Sequence, residues 1–273
     1  MKRYSLILLT MLFLLQQAFA EPVMQNLKLW LRADSLSHLQ NGAVVDTWND
    51  ESGLGHNAYS SSTSRPTYYS SAINGRAALR FDGSNDQLFI SGSSDYNFTE
   101  ATIFTVRSPQ NRAGTVISIA KDGTLFDNEF LIYGNHTYHV TGAGVFTVKG
   151  HQSVPSTAFF TTSVIGSSPS DIYYGINGVA STLSATPSNG GGSTMPSVTR
   201  NITIGGRGLN VYGESFQGDI AEILVYSGKL NAQEIQSVEY YLSGKYSMGN
   251  LVPEPQCFLF AIIGIFLIRH LKK

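Results

Sequence analysis

The chain holds one cysteine, Cys257, in 273 residues. A disulfide framework and a thiolate metal cluster are both excluded by that count. Charge is sparse and balanced, with 18 Lys and Arg against 19 Asp and Glu and a formal net charge of −1. The basic residues are scattered through the body of the chain, so no patch points to nucleic acid or to an anionic lipid surface. No apolar run reaches the ~20 residues of a membrane-spanning helix. Six histidines are dispersed and no H-E-x-x-H occurs, so zinc lacks a ligand set. There is no G-x-S-x-G nucleophile elbow. Gly205-Gly206-Arg207-Gly208 is rich in glycine, but no Lys-Ser/Thr follows it and it is not a P-loop.

What is present is glycine, serine, threonine and tyrosine between short alternating apolar segments. That composition suits an all-β extracellular domain with many turns. Strands are expected at Lys28–Ala33, Val44–Trp48, Ala78–Phe81, Gln87–Ile90, Ala101–Arg107, Thr115–Ala120 and Phe130–Tyr133. Tyr138–Val140 and Val145–Val148 read as a hairpin across Gly142–Gly144. Phe159–Ile165 and Asp171–Ile176 follow, then the hairpin signal Asn177-Gly178, a partner strand Val179–Leu183, and a strand Asn201–Ile204. Asp50–Gly55 reads as a tight turn with positive φ at Gly53 and Gly55, and Ser60–Ser64 and Ser184–Ser197 as surface loops.

The stretch Phe216–Tyr246 closes the domain. Ile220 to Tyr226 is apolar at almost every position, as in a strand covered on both faces. Gly228 breaks it. Asn231, three residues before Glu234, reads as an N-cap, and Ile235, Val238 and Leu242 follow at helical spacing with Tyr241 and Tyr246 beside them. The predicted architecture is a two-sheet antiparallel jelly-roll sandwich with a short C-terminal helix.

Both ends of this unit resemble one family. Phe216, Gly218, Ile220, Ala221, Glu222, Ile223, Val225 and Tyr226, continued by Leu230, Glu234, Tyr241, Leu242, Lys245 and Tyr246, match the closing motif of laminin-G-like, concanavalin A-like domains of secreted bacterial proteins. Leu29, Trp30, Leu31, Ala33, Asp34, Val45, Trp48, Asp50, Ser52 and Gly53 match its opening motif, L-W-L-x-A-D followed by V-x-x-W-x-D-x-S-G. Residues 21–250 are therefore read as a single domain. The resemblance implies the fold and makes a calcium ion on a rim loop an expectation. Asp82, Asn85 and Asp86 lie together in one turn and are its candidate ligands.

The termini read as processing signals. Lys2 and Arg3, an apolar run over Leu6–Leu15, and Ala18 and Ala20 give a signal peptide over residues 1–20 with cleavage after Ala20. Over residues 251–273, Val252-Pro253-Glu254-Pro255 precedes the apolar run Cys257–Ile268, and Arg269, His270, Lys272 and Lys273 follow. About a dozen apolar residues as a helix reach roughly 18 Å, short of the ~30 Å hydrocarbon core, so this reads as a transient anchor. Its order resembles the PEP-CTERM sorting signal. That resemblance implies an exosortase-type membrane protease as partner, cutting near Val252–Pro255, and a chain exported through the inner membrane to the cell surface or beyond.

Catalysis has little to stand on. A retaining glycosidase needs two carboxylates about 5–5.5 Å apart. Asp127 and Glu129, alternate residues on one strand, are the nearest candidates, and the E-x-D-x-x-E pattern of concanavalin A-like glycosidases is absent. The N-x-S/T matches at Asn97, Asn135 and Asn201 are read as chance, since the sorting signal implies a bacterial host. Tyr68, Tyr69, Tyr96, Tyr133, Tyr138, Tyr173, Tyr174 and Tyr212 could stack on sugar rings or simply fill strands. The expected role is a non-catalytic protein that binds extracellular polysaccharide or builds its matrix. The competing expectations are a glycan hydrolase or lyase on the same scaffold and a purely structural surface protein. Intact-mass measurement on protein from its own host should find a chain lacking residues 1–20 and the segment beyond the Val252–Pro255 cut; a stable form retaining Cys257–Lys273 would instead make the tail a permanent anchor.

Overall fold

The computed structural model describes residues 21–60, 63–111, 113–121, 128–142, 145–152, 155–168, 171–188, 194–208 and 214–249. Within them the chain forms two antiparallel sheets packed face to face, with one α-helix. The strands in chain order are β1 (Leu27–Arg32), β2 (Thr47–Trp48), β3 (Ala58–Tyr59), β4 (Thr67–Ile73), β5 (Arg76–Asp82), β6 (Leu88–Ser93), β7 (Ala101–Pro109), β8 (Thr115–Lys121) and β9 (Glu129–Tyr133). They continue as β10 (His136–Gly142), β11 (Val145–Gly150), β12 (Phe159–Ile165), β13 (Ile172–Ile176), β14 (Val179–Ala180), β15 (Thr186–Pro187), β16 (Arg200–Ile204) and β17 (Gln217–Ser227), followed by helix α1 (Ala232–Tyr246).

One sheet runs β14-β13-β12-β7-β17-β5-β4, and β1 also pairs with β17. β17 is long enough for two partners on one edge. Gln217–Ile220 pair with β5 and Glu222–Tyr226 with β1, while β7 takes the other edge. Helix α1 covers the outer face of this helix-side sheet. The second, open sheet runs β15-β11-β10-β9-β8-β16-β6-β3-β2. Between the sheets lies a core built from Trp48, Phe81, Ile103, Ile119, Phe130 and Ile223 among others. A second apolar layer, with Phe104, Leu224, Tyr226, Val238 and Leu242, fills the space under α1.

Helix α1 starts at a complete capping box: the Asn231 side chain accepts from the Glu234 amide, and Glu234 accepts from the Asn231 amide. Val238, Tyr241, Leu242 and Tyr246 are its buried face. Beneath it Glu222 is fully buried and accepts four hydrogen bonds, from Trp30 Nε1 at 2.6 Å, Tyr241 Oη at 2.7 Å, Lys245 Nζ at 2.8 Å and Tyr246 Oη at 2.8 Å. Lys245 also reaches Asp34 at 3.1 Å. Burial, reinforced by the Glu222 charge, pushes the Tyr241 and Tyr246 phenols far above their ordinary pKa, so both stay donors. The motif residues Asp34, Glu222, Tyr241, Lys245 and Tyr246 are thus one polar knot. Gly218 of the same motif has φ 141°, and a Cβ there would lie 2.5 Å from Ser108 O.

Asp50 explains the opening motif in the same way. Its Oδ1 accepts from the Trp30 and Ser52 amides and its Oδ2 from the His56 amide and the Ser52 hydroxyl. The tight turn at Asp50–Gly55 forms as expected, with φ 88° at Gly53 and 77° at Gly55.

The structure departs from the strand expectations in several places, among them two short strands that were not expected, β3 and β15, the latter inside the expected Ser184–Ser197 loop. Val44–Trp48 contracts to Thr47–Trp48, with Val44 held only by an isolated bridge to Thr67. Val179–Leu183 contracts to Val179–Ala180 at the sheet edge. Strand β4 was not expected, although it joins β5 through Asn74-Gly75, with φ 48° and 79°, the same left-handed pair as Asn177-Gly178 at 50° and 76°.

Replacing Glu222 by Ala leaves Lys245 under the helix with Asp34 and the Tyr241 hydroxyl. It should cost roughly 3–5 kcal/mol in chemical denaturation, the cost of breaking a buried ion pair from one side. Glu222→Ala combined with Lys245→Met should recover part of that loss; no recovery would mean that the phenol and indole bonds, not the charge, carry the knot.

Candidate ligand-binding face

Among the described residues no helix lies over the outer face of the open sheet, although Ser118, Glu129, Leu131, Val140 and Thr203 on that face are buried. On three of its strands, β9, β10 and β11, register sets nine residues in three rows. Glu129, Val140 and Phe146 pair across one row; Leu131, Tyr138 and Val148 across the next; Tyr133, His136 and Gly150 across the third. Paired residues of an antiparallel sheet share a face. The middle row continues in both directions, through Ser118, Thr203, Phe89, Tyr59 and Thr47 on one side and Thr186 on the other.

Two depressions open on this face. One, about 170 Å³, is lined by Leu131, Tyr133, Tyr138, Val140, Phe146, Arg207 and Glu214. The other, about 330 Å³, is lined by His136, Val148, Gly150, Leu183, Ser184 and Thr186. Tyr138 stands between them, its ring 6.2 Å from that of His136 and 5.7 Å from that of Phe146. His136 lies flat over β11 because residue 150 is glycine: a Cβ there would come within 2.6 Å of the ring. Burial lowers the His136 pKa, so the ring is neutral at pH 7.

The floor of the first depression is charged. Glu129 is fully buried, accepts from Ser118 Oγ at 2.6 Å, and receives Arg207 through Nε at 3.0 Å and Nη2 at 2.6 Å. Arg207 Nη1 also reaches Glu214 at 3.5 Å, and Glu214 accepts from Thr115 Oγ1 at 3.2 Å. Both oxygens of Glu129 are therefore engaged, which does not suit a group that must exchange a proton in a reaction. A guanidinium stands between the two carboxylates.

The sequence candidates fall as follows. Asp127, Tyr212, Ala20 and Val252, Pro253, Glu254 and Pro255 lie outside the described residues, so the Asp127–Glu129 pairing is not on view. Tyr68, Tyr96 and Tyr174 are buried in the interior, while Tyr133 and Tyr138 line the face. Arg207, Glu214, His136 and Phe146 were not singled out as site residues. The period-two pattern of β10 and β11 could have placed His136 beside Tyr138, but the Glu129–Arg207 pair joins residues 78 positions apart and left no local signal.

Asp82, Asn85 and Asp86 form a turn that binds its own backbone. Asp82 Oδ1 accepts from the amides of Ser84, Asn85 and Asp86 at 2.8, 3.1 and 3.3 Å, and Asp86 Oδ2 from the Asp82 amide at 2.9 Å. The Asn85 side chain donates to Thr63 O. Among the described residues no three His, Cys, Asp or Glu gather at metal-binding distance. Burial, and after it the Asp82 charge, raises the Asp86 pKa to about 6.

No family model and no curated protein matches the chain. Solved structures do. A mutant of Trypanosoma rangeli sialidase displaying trans-sialidase activity matches with a TM-score of 0.50 at 12% identity, over 85% of this chain and 35% of that one. Domain 4 of a GH43 extracellular arabinanase from Geobacillus stearothermophilus, in complex with arabinotriose, gives 0.49 at 14% identity, over 79% of this chain and 98% of that one. The binding domain of Paraclostridial Mosquitocidal Protein 1 gives 0.48 at 14%, over 81% and 53%. The chain is a β-sandwich, and at these identities the likeness is one of fold; it spans about a third of the sialidase, by the 35% above.

Asp86 gives a pH test. Its folded pKa of about 6 lies above the ordinary aspartate value of 3.8, so charging it opposes folding. Stability should fall as pH rises from about 4 to about 6 and stay lower above, by at most about 3 kcal/mol. Asp86→Asn, whose carboxamide oxygen can still accept from the Asp82 amide, should raise the denaturation midpoint at pH 7.5 and flatten this profile. A calcium ion between Asp82 and Asp86 would remove the same cost, so a rise in Tm with millimolar calcium that Asp82→Ala abolishes would make the turn a metal site.

Proposed function

We propose that this is an exported, non-catalytic carbohydrate-binding sandwich of the laminin-G-like, concanavalin A-like kind, acting at the cell surface or in the extracellular polysaccharide matrix. One observation carries the binding reading: three half-buried rings in succession, His136, Tyr138 and Phe146, on the outer face of the open sheet, with a depression on each side of the central ring. Aromatic faces on rigid strands stack on the apolar faces of sugar rings, and polar groups at the edge fix orientation. Arg207 and Glu214 supply that edge. The two depressions suit an oligosaccharide lying across Tyr138 better than a single sugar.

The non-catalytic part of the proposal rests on Glu129. A retaining or inverting hydrolase needs one carboxyl free to give a proton and a second free to attack or to activate water. Here the buried carboxylate is held by Ser118 and Arg207. A hydrolase or lyase remains the competing proposal, and hydrolysis of any bound oligosaccharide would establish it. Export, transient anchoring by residues 251–273 and processing by an exosortase-type protease belong to the same proposal and rest on the sequence motifs. Calcium at Asp82, Asn85 and Asp86 is proposed only as a stabiliser of the rim turn.

The released domain, residues 21–250, should bind oligosaccharides on a glycan array, and calorimetry on the best of them should give a 1:1 complex. Tyr138→Ala should weaken binding about tenfold or more, the equivalent of roughly 1.4 kcal/mol, with the thermal melt little changed. Retained affinity in Tyr138→Ala would move the site off this face.

A further inference from the structure

The charge arrangement of the first depression selects among glycans. Of the described side chains lining the two depressions, only Arg207 and Glu214 carry full charges. Arg207 is already matched by Glu129 beneath it, through contacts of 3.0 and 3.1 Å from Nε and 2.6 Å from Nη2. Its contact with Glu214, at 3.5 Å, sits at the limit of a hydrogen bond. The other bond to Glu214 comes from the neutral Thr115 hydroxyl. Summed over the three groups, one negative charge is left over, and it belongs to Glu214. Glu129 is wholly buried, whereas the Glu214 side chain is 29% exposed, so the uncompensated charge is the one a ligand meets.

We infer that this face takes neutral or amino sugars and rejects uronic acids and other anionic glycans. The inference rests on the carbohydrate-binding reading above and adds the ligand class. A neutral sugar stacked on Tyr138 or Phe146 can donate hydroxyl protons to the Glu214 carboxylate, a charge-assisted bond. A protonated amino sugar gains an ion pair in the same place. A uronate brings a second carboxylate against Glu214, and the guanidinium that would welcome it is already held by Glu129. Rejection by an unmatched like charge is a specificity device in its own right.

Calorimetry or immobilised-glycan binding with three probes tests this: a neutral gluco- or arabino-oligosaccharide, an oligogalacturonate of the same length, and a chitosan oligomer. At low salt the neutral and cationic probes should bind, and the oligogalacturonate should bind about tenfold more weakly, the factor roughly one close, partly solvated unit charge provides. Raising the salt to about 0.5 M should narrow the gap by screening. Glu214→Gln, which keeps size and one acceptor oxygen, should close it, while Tyr138→Ala should weaken all three alike. Oligogalacturonate binding as tightly as the neutral probe in the wild type, or a gap that survives Glu214→Gln, overturns the inference and leaves the carbohydrate reading standing. Failure of all three probes to bind overturns that reading, and this inference with it.

Discussion

A carboxylate with no water around it sets the terms for this domain. Glu222 sits in the central strand, fully buried, and four donors from two elements close on it within 2.6–2.8 Å. Burying a lone carboxylate is prohibitive, so those donors have to be delivered together. Trp30 comes from the first strand; Tyr241, Lys245 and Tyr246 come from the last helix, at positions i, i+4 and i+5. The helix can satisfy the carboxylate only from one position and one rotation. That fixes which face of the sheet it covers and ties the beginning of the domain to its end. The apolar layer around it, Leu224, Tyr226, Val238 and Leu242, adds affinity without direction, while the carboxylate adds the direction.

Buried arginines hold the loops. Arg200 is fully buried and donates to the carbonyls of Asn128, Tyr96, Phe98, Val198 and Pro196, with its guanidinium over the Phe130 ring at 4.9 Å. Carbonyl dipoles and a ring face take the place of a counter-ion, at the expense of a pKa lowered by burial to about 10. Arg107 crosses between the sheets to Gly134 O at 2.6 Å, in the turn between Tyr133 and His136. The aromatic line on the open sheet therefore stands on a turn anchored from the interior. A site built on paired strands and braced from behind keeps its geometry in the absence of ligand.

How far the sequence disclosed this depends on the range of the interaction. Alternation and turn chemistry are local, so Phe159–Ile165 and the helix cap at Asn231 were legible to the residue. Asn74-Gly75 carries the same turn signal, but the strand before it, Thr67–Ile73, mixes serine and tyrosine with little alternation. Thr67–Tyr69 and Ile73 are held by pairing with β5 across a register shift. The opening and closing motifs mark Asp50 and Glu222 as characteristic positions, but only the fold shows why: Asp50 ties its own turn to the Trp30 amide, and Glu222 accepts from the Trp30 indole and from the last helix. The binding face was the least legible part. Tyr138 stood out as one tyrosine among several, and nothing in the sequence ranks it above Tyr174, which is wholly buried. The difference is which side of a strand each occupies, and register decides that.

The knot under the helix and the open face opposite are linked by this geometry. A two-sheet sandwich has two outer faces. Here the helix that Glu222 locks in place covers one, and the apolar positions of that sheet read as continuous runs, as in Ile220–Tyr226. The other sheet turns outward a mixed register row, polar and aromatic except for Leu131 and Val148, that crosses all nine strands from Thr47 to Thr186. Exposed rings cost solubility unless a ligand or a charge offsets them. Glu214 and Arg207 at the edge of the row supply that charge, and they do so next to Tyr138 and Phe146, where stacking would take place. The same division that makes the helix-side sheet a stable support leaves the opposite sheet free to carry a site.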